Sequence, residues 1–222
     1  MQNHTHSFMV RYRRQDLGTR VALVLAAAAL ALPLLVDTAL AQNVPTGGSV
    51  AAGSVFIARP SASQLNVFQS SQSAVVNWQG FSIGQGNAVN FIQPNSSSAI
   101  LNRVTGSAPS TIAGSITANG QVYLVNPNGI AITSSGTVNT GGGFVASTLG
   151  ISDGNFMSGN RTFTGNGASA GVSNAGTISV GRGGYAALIG GTVSNSGNIM
   201  VPLGKVGLGS GEMVTLDFAG DG

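Results

Sequence analysis

Cysteine is absent from all 222 residues, and the two histidines, His4 and His6, both stand within the first six positions. Beyond them the chain offers no zinc site built on His and Cys, and no Ser-His or Cys-His nucleophile pair. Charge is scarce as well: Asp, Glu, Lys and Arg together make 7% of the sequence. Paired-carboxylate chemistry beyond the N-terminal region has only Asp153, Glu212, Asp217 and Asp221 to draw on, three of them crowded at the C-terminal end. All four read as solvated turn residues. These absences argue against an enzyme, and no metal or cofactor is expected.

Residues 1–20 are polar and carry Arg11, Arg13, Arg14 and Arg20, whereas Val21 to Leu35 hold no charge and almost only Ala, Leu and Val. Ala39-Leu40-Ala41 then supplies the small-x-small pattern that a signal peptidase cuts. Residues 1–41 therefore read as a signal peptide, with the mature chain starting at Gln42. The competing reading is a transmembrane helix. A run of about fifteen apolar residues reaches only about 22 Å, short of a ~30 Å hydrocarbon core, so no span is expected in the mature chain. Arg13-Arg14 suggests a twin-arginine route, but Gln15-Asp16-Leu17 matches that signal poorly. After residue 41, five cations (Arg59, Arg103, Arg161, Arg182, Lys205) face four acids, a net charge of +1 (5 − 4). That is too few clustered cations for nucleic acid.

What remains is rich in Gly, Ser, Asn and Thr, with short alternating apolar runs, a composition that disfavours helix and does not resemble disorder. One short unit recurs as Ser134-Ser-Gly136-Thr-Val138, Asn174-Ala-Gly176-Thr-Ile178 and Asn195-Ser-Gly197-Asn-Ile199. A second apolar run follows each, opening at Gly142, Gly183 and Gly204. The gaps of 40 (176 − 136) and 21 (197 − 176) read as two coils and then one coil of a solenoid with a period near twenty. A parallel β-helix is the expected fold. Residues 151–172 break the pattern and read as an inserted hairpin with a strand at Arg161–Thr164. Gly53–Ala58 and Ala74–Trp78 read as early strands, the first pairing across the N-terminal end as a cap over otherwise open backbone.

Gln121-Val-Tyr-Leu-Val-Asn126-Pro127-Asn128-Gly129-Ile130 runs an alternating strand straight into a turn. Pro127 presets φ for the first corner, Asn128 tolerates unusual φ and Gly129 permits φ > 0. Together with NWQGFSIGQGNAVNF (77–91), AILNRVTGSAPSTIAGSI (99–116), GGFVASTLGISDGNF (142–156) and TLDFAGDG (215–222), this segment closely resembles the haemagglutination-activity domain. That domain is the N-terminal two-partner secretion module of filamentous-haemagglutinin-like exoproteins. The resemblance spans roughly residues 44–222.

The resemblance implies a right-handed parallel β-helix over residues 42–222 with N-terminal capping strands. It also implies export to the cell surface or medium through the periplasm. The implied partner is an outer-membrane barrel transporter whose POTRA domains capture the chain. Absence of cysteine fits that route, since a cross-link formed in the periplasm would trap the chain folded. Asn126, Pro127, Asn128, Gly129 and Ile130 match the family's NPNGI motif and are candidates for transporter recognition or for turn stability alone. Asn102 and Arg103, in LNRVTG, are the second candidates, Arg103 alternatively capping carbonyls or covering the solenoid wall. The NPNL motif of some members is missing. Gln93-Pro94-Asn95-Ser96 stands nearest to it, which places the chain closest to the high-molecular-weight-adhesin type.

Trp78 and Phe81 read as core or cap packing rather than a sugar platform. Two alternatives stay open from the residues themselves: a carbohydrate-active β-helix such as a pectate-lyase-like enzyme, and a short structural or ice-binding solenoid. The first needs clustered acids and bases, the second a regular Thr-x-Thr ladder. The chain also reads as unfinished at Gly220-Asp221-Gly222, where related proteins continue into a repetitive shaft that would carry any receptor binding.

Overall fold

The computed structural model describes residues 44–217, so the expected signal peptide, its cleavage residues Ala39, Ala41 and Gln42, and Asp221 lie outside the described residues. A short strand with one apolar face cannot bury that face alone; here the strands stack coil upon coil into three walls. The first wall is ordered β1 (Ser49–Ala52), β4 (Ser73–Trp78), β6 (Ala99–Val104), β9 (Gln121–Val125), β12 (Gly143–Ser147), β16 (Tyr185–Gly190), β19 (Lys205–Ser210). The second is β7 (Ser110–Ile112), β10 (Ile130–Ile132), β14 (Gly171–Asn174), β17 (Thr192–Asn195). The third is β2 (Val55–Ser61), β3 (Gln64–Gln69), β5 (Ala88–Ile92), β8 (Ser115–Ala118), β11 (Thr137–Thr140), β15 (Thr177–Val180), β18 (Asn198–Met200).

The parallel β-helix expected from the repeat is the fold that forms. Successive coils pair in parallel with side chains in register, so like residues stack on like. In the third wall Val89, Ile116, Val138, Ile178 and Ile199 form one inward column. On the outward face of the same wall stand Ser115, Thr137, Thr177 and Asn198. This is the period-two alternation of a half-buried strand. The enclosed core adds Trp78, Phe81, Phe91, Ile100, Leu124 and Phe144, each 3% exposed or less. Trp78 and Phe81 meet edge to face at 5.6 Å, as core packing rather than a surface platform.

The expected cap is present. β2 pairs antiparallel with β3, and β1 antiparallel with β4, so the first coil's edges are covered by reversed strands instead of being left open.

Three details of the repeat differ from the sequence reading. First, β11 pairs directly with β15 and β12 with β16, so the forty-residue gap is one coil carrying an insertion, not two coils. The insertion happens to be about one coil long, which is why spacing alone misread it. Second, Gly142 stacks with Gly184 rather than Gly183, because Gly143 aligns with Tyr185; Gly183 is an extra corner residue at φ 76°. Third, the insertion closes as a hairpin only at its base, where Gly150 and Thr164 exchange backbone bonds at 2.9 and 2.8 Å, and its strand pairs elsewhere. It forms a short helix α1 (Asp153–Met157) and a strand β13 (Thr162–Thr164) that pairs antiparallel with β20 (Met213–Thr215), about fifty residues on. Ser152 caps α1 through its hydroxyl, which accepts from Asn155 N–H.

This insertion lies on the outer face of the first wall and builds a second apolar cluster there. Leu101, Tyr123, Val125, Val145 and Ile189 from the wall meet Leu149, Ile151, Phe156 and Phe163 from the insertion. Both faces of the first wall are thus covered, and β12 is buried at all five positions.

Candidate functional site

The turn at Asn126–Ile130 closes β9 and leads into β10. Gly129 N–H donates to Asn126 carbonyl at 3.2 Å, placing Pro127 and Asn128 at the two central positions. Gly129, at φ 118°, takes the conformation that favours glycine; Asn128 keeps negative φ. The Asn126 side chain is fully buried. Its Nδ2 donates to Ala108 carbonyl at 3.0 Å and to Ser110 Oγ at 2.9 Å, tying the turn to the preceding coil. Its Oδ1 accepts from Asn128 N–H at 3.0 Å, an Asx turn inside the larger one. Its own N–H donates to Ser147 carbonyl on β12 at 2.9 Å. Asn126 therefore joins three coils. Pro127 and Asn128 are exposed, although Asn128 Nδ2 reaches Gly106 carbonyl at 2.9 Å. A hollow of about 380 Å³ borders the turn, with Pro109, Asn128, Gly129, Gly171 and Thr192 in its lining.

Asn102 and Arg103 occupy the neighbouring coil but are not part of the turn. Asn102 points inward and is fully buried, accepting from Trp78 Nε1–H at 3.1 Å and donating to Tyr123 carbonyl at 3.3 Å. Arg103, on the opposite face, donates to Ile151 carbonyl at 2.7 Å and pairs with Asp153 at 2.6 Å. It clamps the start of α1 to the wall. The structure thus places the candidates in three separate roles: the corner turn of Asn126–Ile130, the interior amide of Asn102 and the outer clamp of Arg103.

Gln93, where the second motif is missing, is a buried structural amide. Its Nε2 donates to Gln69 Oε1 at 2.9 Å, and its Oε1 accepts from Gly120 N–H at 3.0 Å. Asn95 organises its own exposed turn, accepting from Ser97 N–H at 3.0 Å. The acids are engaged as well. Asp153 is held by Arg103, and Glu212 accepts from Ser169 Oγ, Ser169 N–H and Gly167 N–H at 2.8–3.0 Å. Those bonds, the Ser169 hydroxyl first, hold the Glu212 carboxyl below its ordinary value. Asp153, the first residue of α1, and Glu212 are thus each held by named partners rather than merely solvated in turns. No cluster of three or more His, Cys, Asp or Glu occurs among the described residues, nor any helix long and apolar enough to cross a membrane.

The sequence reading missed a polar cluster beneath the insertion. Arg161, 9% exposed, lies 4.2 Å over the Phe156 ring and 5.0 Å over Tyr123. Its Nη1 donates to Phe156 carbonyl at 2.6 Å and its Nε to Tyr123 Oη at 3.1 Å. Tyr123 and Tyr185 hydroxyls are bonded to each other, and Tyr185 Oη donates to Gln121 Oε1 at 2.7 Å. Burial, then the neighbouring Tyr123, pushes the Tyr185 hydroxyl far above its ordinary value, against the pull of Arg161, so it stays a donor. One sequence signal pointed here: β9, β12 and β16 read as near-continuous apolar runs, the mark of strands covered on both faces.

The TPS secretion domain family matches residues 41–220. A "Heme/hemopexin-binding protein" of Haemophilus influenzae is 40% identical over 106 residues, 48% of this chain and 12% of that protein. A second protein of that name and species is 43% identical over 90 residues, covering 40% and 10% respectively. The crystal structure of the HMW1 secretion domain from Haemophilus influenzae superposes with a TM-score of 0.73 at 39% identity, covering 77% of this chain and 46% of that one. The match spans only about a tenth of the curated relatives' length, so the binding in their name is a property of much longer proteins. The chain belongs to the TPS secretion domain family.

Proposed function

We propose that this TPS secretion domain is read in the periplasm by the POTRA domains of a partner outer-membrane barrel transporter, then threaded outward to fold at the cell surface or be released. The observation that carries the reading is the family match over residues 41–220, nearly all of the chain beyond the expected signal. The chemistry of the fold supports it. A strand-rich chain, before its coils stack, has unpaired backbone that adds to an exposed sheet edge, giving affinity through main-chain bonds and specificity through alternate side chains. Coils stacking outside then oppose backsliding, and no cysteine is present to cross-link the chain in transit.

Within the motif the roles divide. Asn126, Gly129 and Ile130 are buried and build the corner. Pro127 and Asn128 are exposed and the fold depends on them least, so they are the motif residues left to serve recognition of the chain before its coils stack. Binding of the chain from Gln42 onward to isolated POTRA domains tests this directly. Affinity well above that of an unrelated unfolded chain is expected; equal affinity overturns the reading.

A further inference from the structure

An asparagine followed by glycine is a step at which a chain readily attacks itself, because no side chain shields the glycine nitrogen from the amide carbon before it. Such steps stand at Asn119-Gly120, Asn128-Gly129 and Asn166-Gly167. The fold locks the first two. Asn119 is tied at both ends of its amide, accepting from Gln93 N–H and donating to Gln93 carbonyl at 2.7 Å each, and Gly120 N–H donates to Gln93 Oε1 at 3.0 Å. Gly120 is packed so closely that a Cβ on it would stand 2.6 Å from Ser98 carbonyl, which leaves no room to close a ring. Asn128 Nδ2 is held by Gly106 carbonyl and Asn126 Oδ1, and the buried Gly129 gives its N–H to Asn126 carbonyl.

The third step is arranged differently. Asn166 and Gly167 lie in the loop between β13 and β14, and both are exposed. A Cβ built on Gly167 would meet nothing within 4 Å. The contacts present are the ones that ring closure uses. Asn166 Oδ1 accepts from Ala168 N–H at 3.0 Å, an Asx turn that folds the side chain back along its own backbone and polarises the amide carbonyl. Asn119 and Asn128, by contrast, are held through Nδ2, the nitrogen that would have to leave. Gly167 N–H donates to Glu212 Oε2 at 2.9 Å, so the proton that the attacking nitrogen must lose already rests on a carboxylate. Glu212 stands at the turn between β19 and β20 and also accepts from Ser169 N–H and Ser169 Oγ. Its carboxylate therefore latches that turn to the loop.

We propose that Asn166-Gly167 is a self-modification site at which the Gly167 nitrogen attacks Asn166 Cγ with Glu212 carrying the proton. The new N–C bond closes a succinimide. The Gly167 N–H proton passes by way of Glu212 to the departing NH₂, which leaves as ammonia. Water then opens either carbonyl of the ring, leaving aspartate or isoaspartate at position 166, with nothing oxidised or reduced. Either product sets a second negative charge beside Glu212, and isoaspartate also lengthens the main chain by one carbon. The N–H groups of Gly167 and Ser169 then no longer cradle the carboxylate. The modification is thus a slow, irreversible release of the latch that holds the β19–β20 turn. This goes beyond the secretion reading and stands or falls without it, since it is measured on the purified chain with no transporter.

The test is to age the purified chain at neutral pH, folded and in guanidinium chloride, and to map conversion by peptide mass spectrometry with enzymatic methylation of isoaspartate. Tryptic cleavage at Arg161 and Arg182 isolates Asn166 in one peptide. In the folded chain Asn166 is expected to convert at least about tenfold faster than Asn119 and Asn128, whose locking bonds must open first. It is also expected to convert faster folded than unfolded. Glu212→Gln, at an exposed position, keeps an oxygen that accepts from the loop but loses the base. It is expected to slow Asn166 by about tenfold, less than a well-matched base gives, because a carboxyl held below its ordinary value is a weak one. Limited proteolysis should cut the aged chain within residues 211–217 sooner than the fresh chain. Conversion of Asn166 no faster than of the other two, no faster folded than unfolded, or undiminished in Glu212→Gln overturns the proposal, as does an aged chain that resists cleavage like the fresh one.

Discussion

Asn128 Nδ2 donates to Asn126 Oδ1 across 3.0 Å, yet the two asparagines have opposite surroundings: Asn126 is fully buried and Asn128 is exposed. One corner therefore holds a residue that three coils depend on beside one that the fold needs far less.

Asn126→Ala leaves the buried Ser110 hydroxyl, and the Ala108 carbonyl at the exposed corner, without their shared donor. A loss of about 1–3 kcal/mol is expected, the cost of unsatisfied buried polar groups. Asn128→Ala removes bonds at an exposed position and is expected to cost about 0.5 kcal/mol. Urea unfolding followed by the single tryptophan, Trp78, checks both; equal losses would mean that the division of roles is wrong.

How far the residues alone reached follows from what stacking preserves. The recurring Gly136, Gly176 and Gly197 units lie in adjacent coils because register repeats with sequence, so the β-helix was legible there. The N-terminal cap was legible too, since Gly53–Ala58 read as a strand pairing across the end. The insertion was not. Its strand at Thr162–Thr164 finds a partner at Met213–Thr215, and no local pattern announces a pairing over that distance. The motif Asn126–Ile130 could be read as a turn, because Pro, Asn and Gly each have a defined use there. That Asn102 points inward and Arg103 outward depends on which face the insertion covers, which alternation cannot tell.

Gly143→Ala drives a methyl group into the Tyr185 ring. Destabilisation of about 1–3 kcal/mol is expected, as for an overpacked core. Tyr185→Ala in the same chain should recover part of it, since the clash disappears. A double-mutant cycle by urea unfolding reads the coupling; additive losses would place the strain elsewhere.

Phe163 anchors the insertion to the outer face of the first wall and is fully buried. Phe163→Ala is expected to cost about 3–5 kcal/mol. Limited proteolysis should then cut first within residues 153–164 while the solenoid persists. Protection of that segment in the variant would show that the anchor lies elsewhere.

Glu212 has its carboxyl held below the ordinary glutamate value by the Ser169 hydroxyl and by the Ser169 and Gly167 N–H groups. With the folded-state value depressed, the contribution to stability is present above the unfolded value and is lost as pH falls through the folded one. Ser169→Ala should raise the Glu212 titration toward 4.5 and shrink that acid-side loss. NMR titration of the Glu212 side chain reads it; an unchanged titration would remove Ser169 as the main cause.

Partner-dependent export is the central claim, and secretion of the full chain with and without its transporter tests it most directly. The account predicts protein in the medium or at the surface only when the transporter is present. It also predicts that Asn128→Ala stops export while leaving the purified protein folded. Release without the transporter, or retention with it, would contradict the account and leave a solenoid that reaches its place by another route.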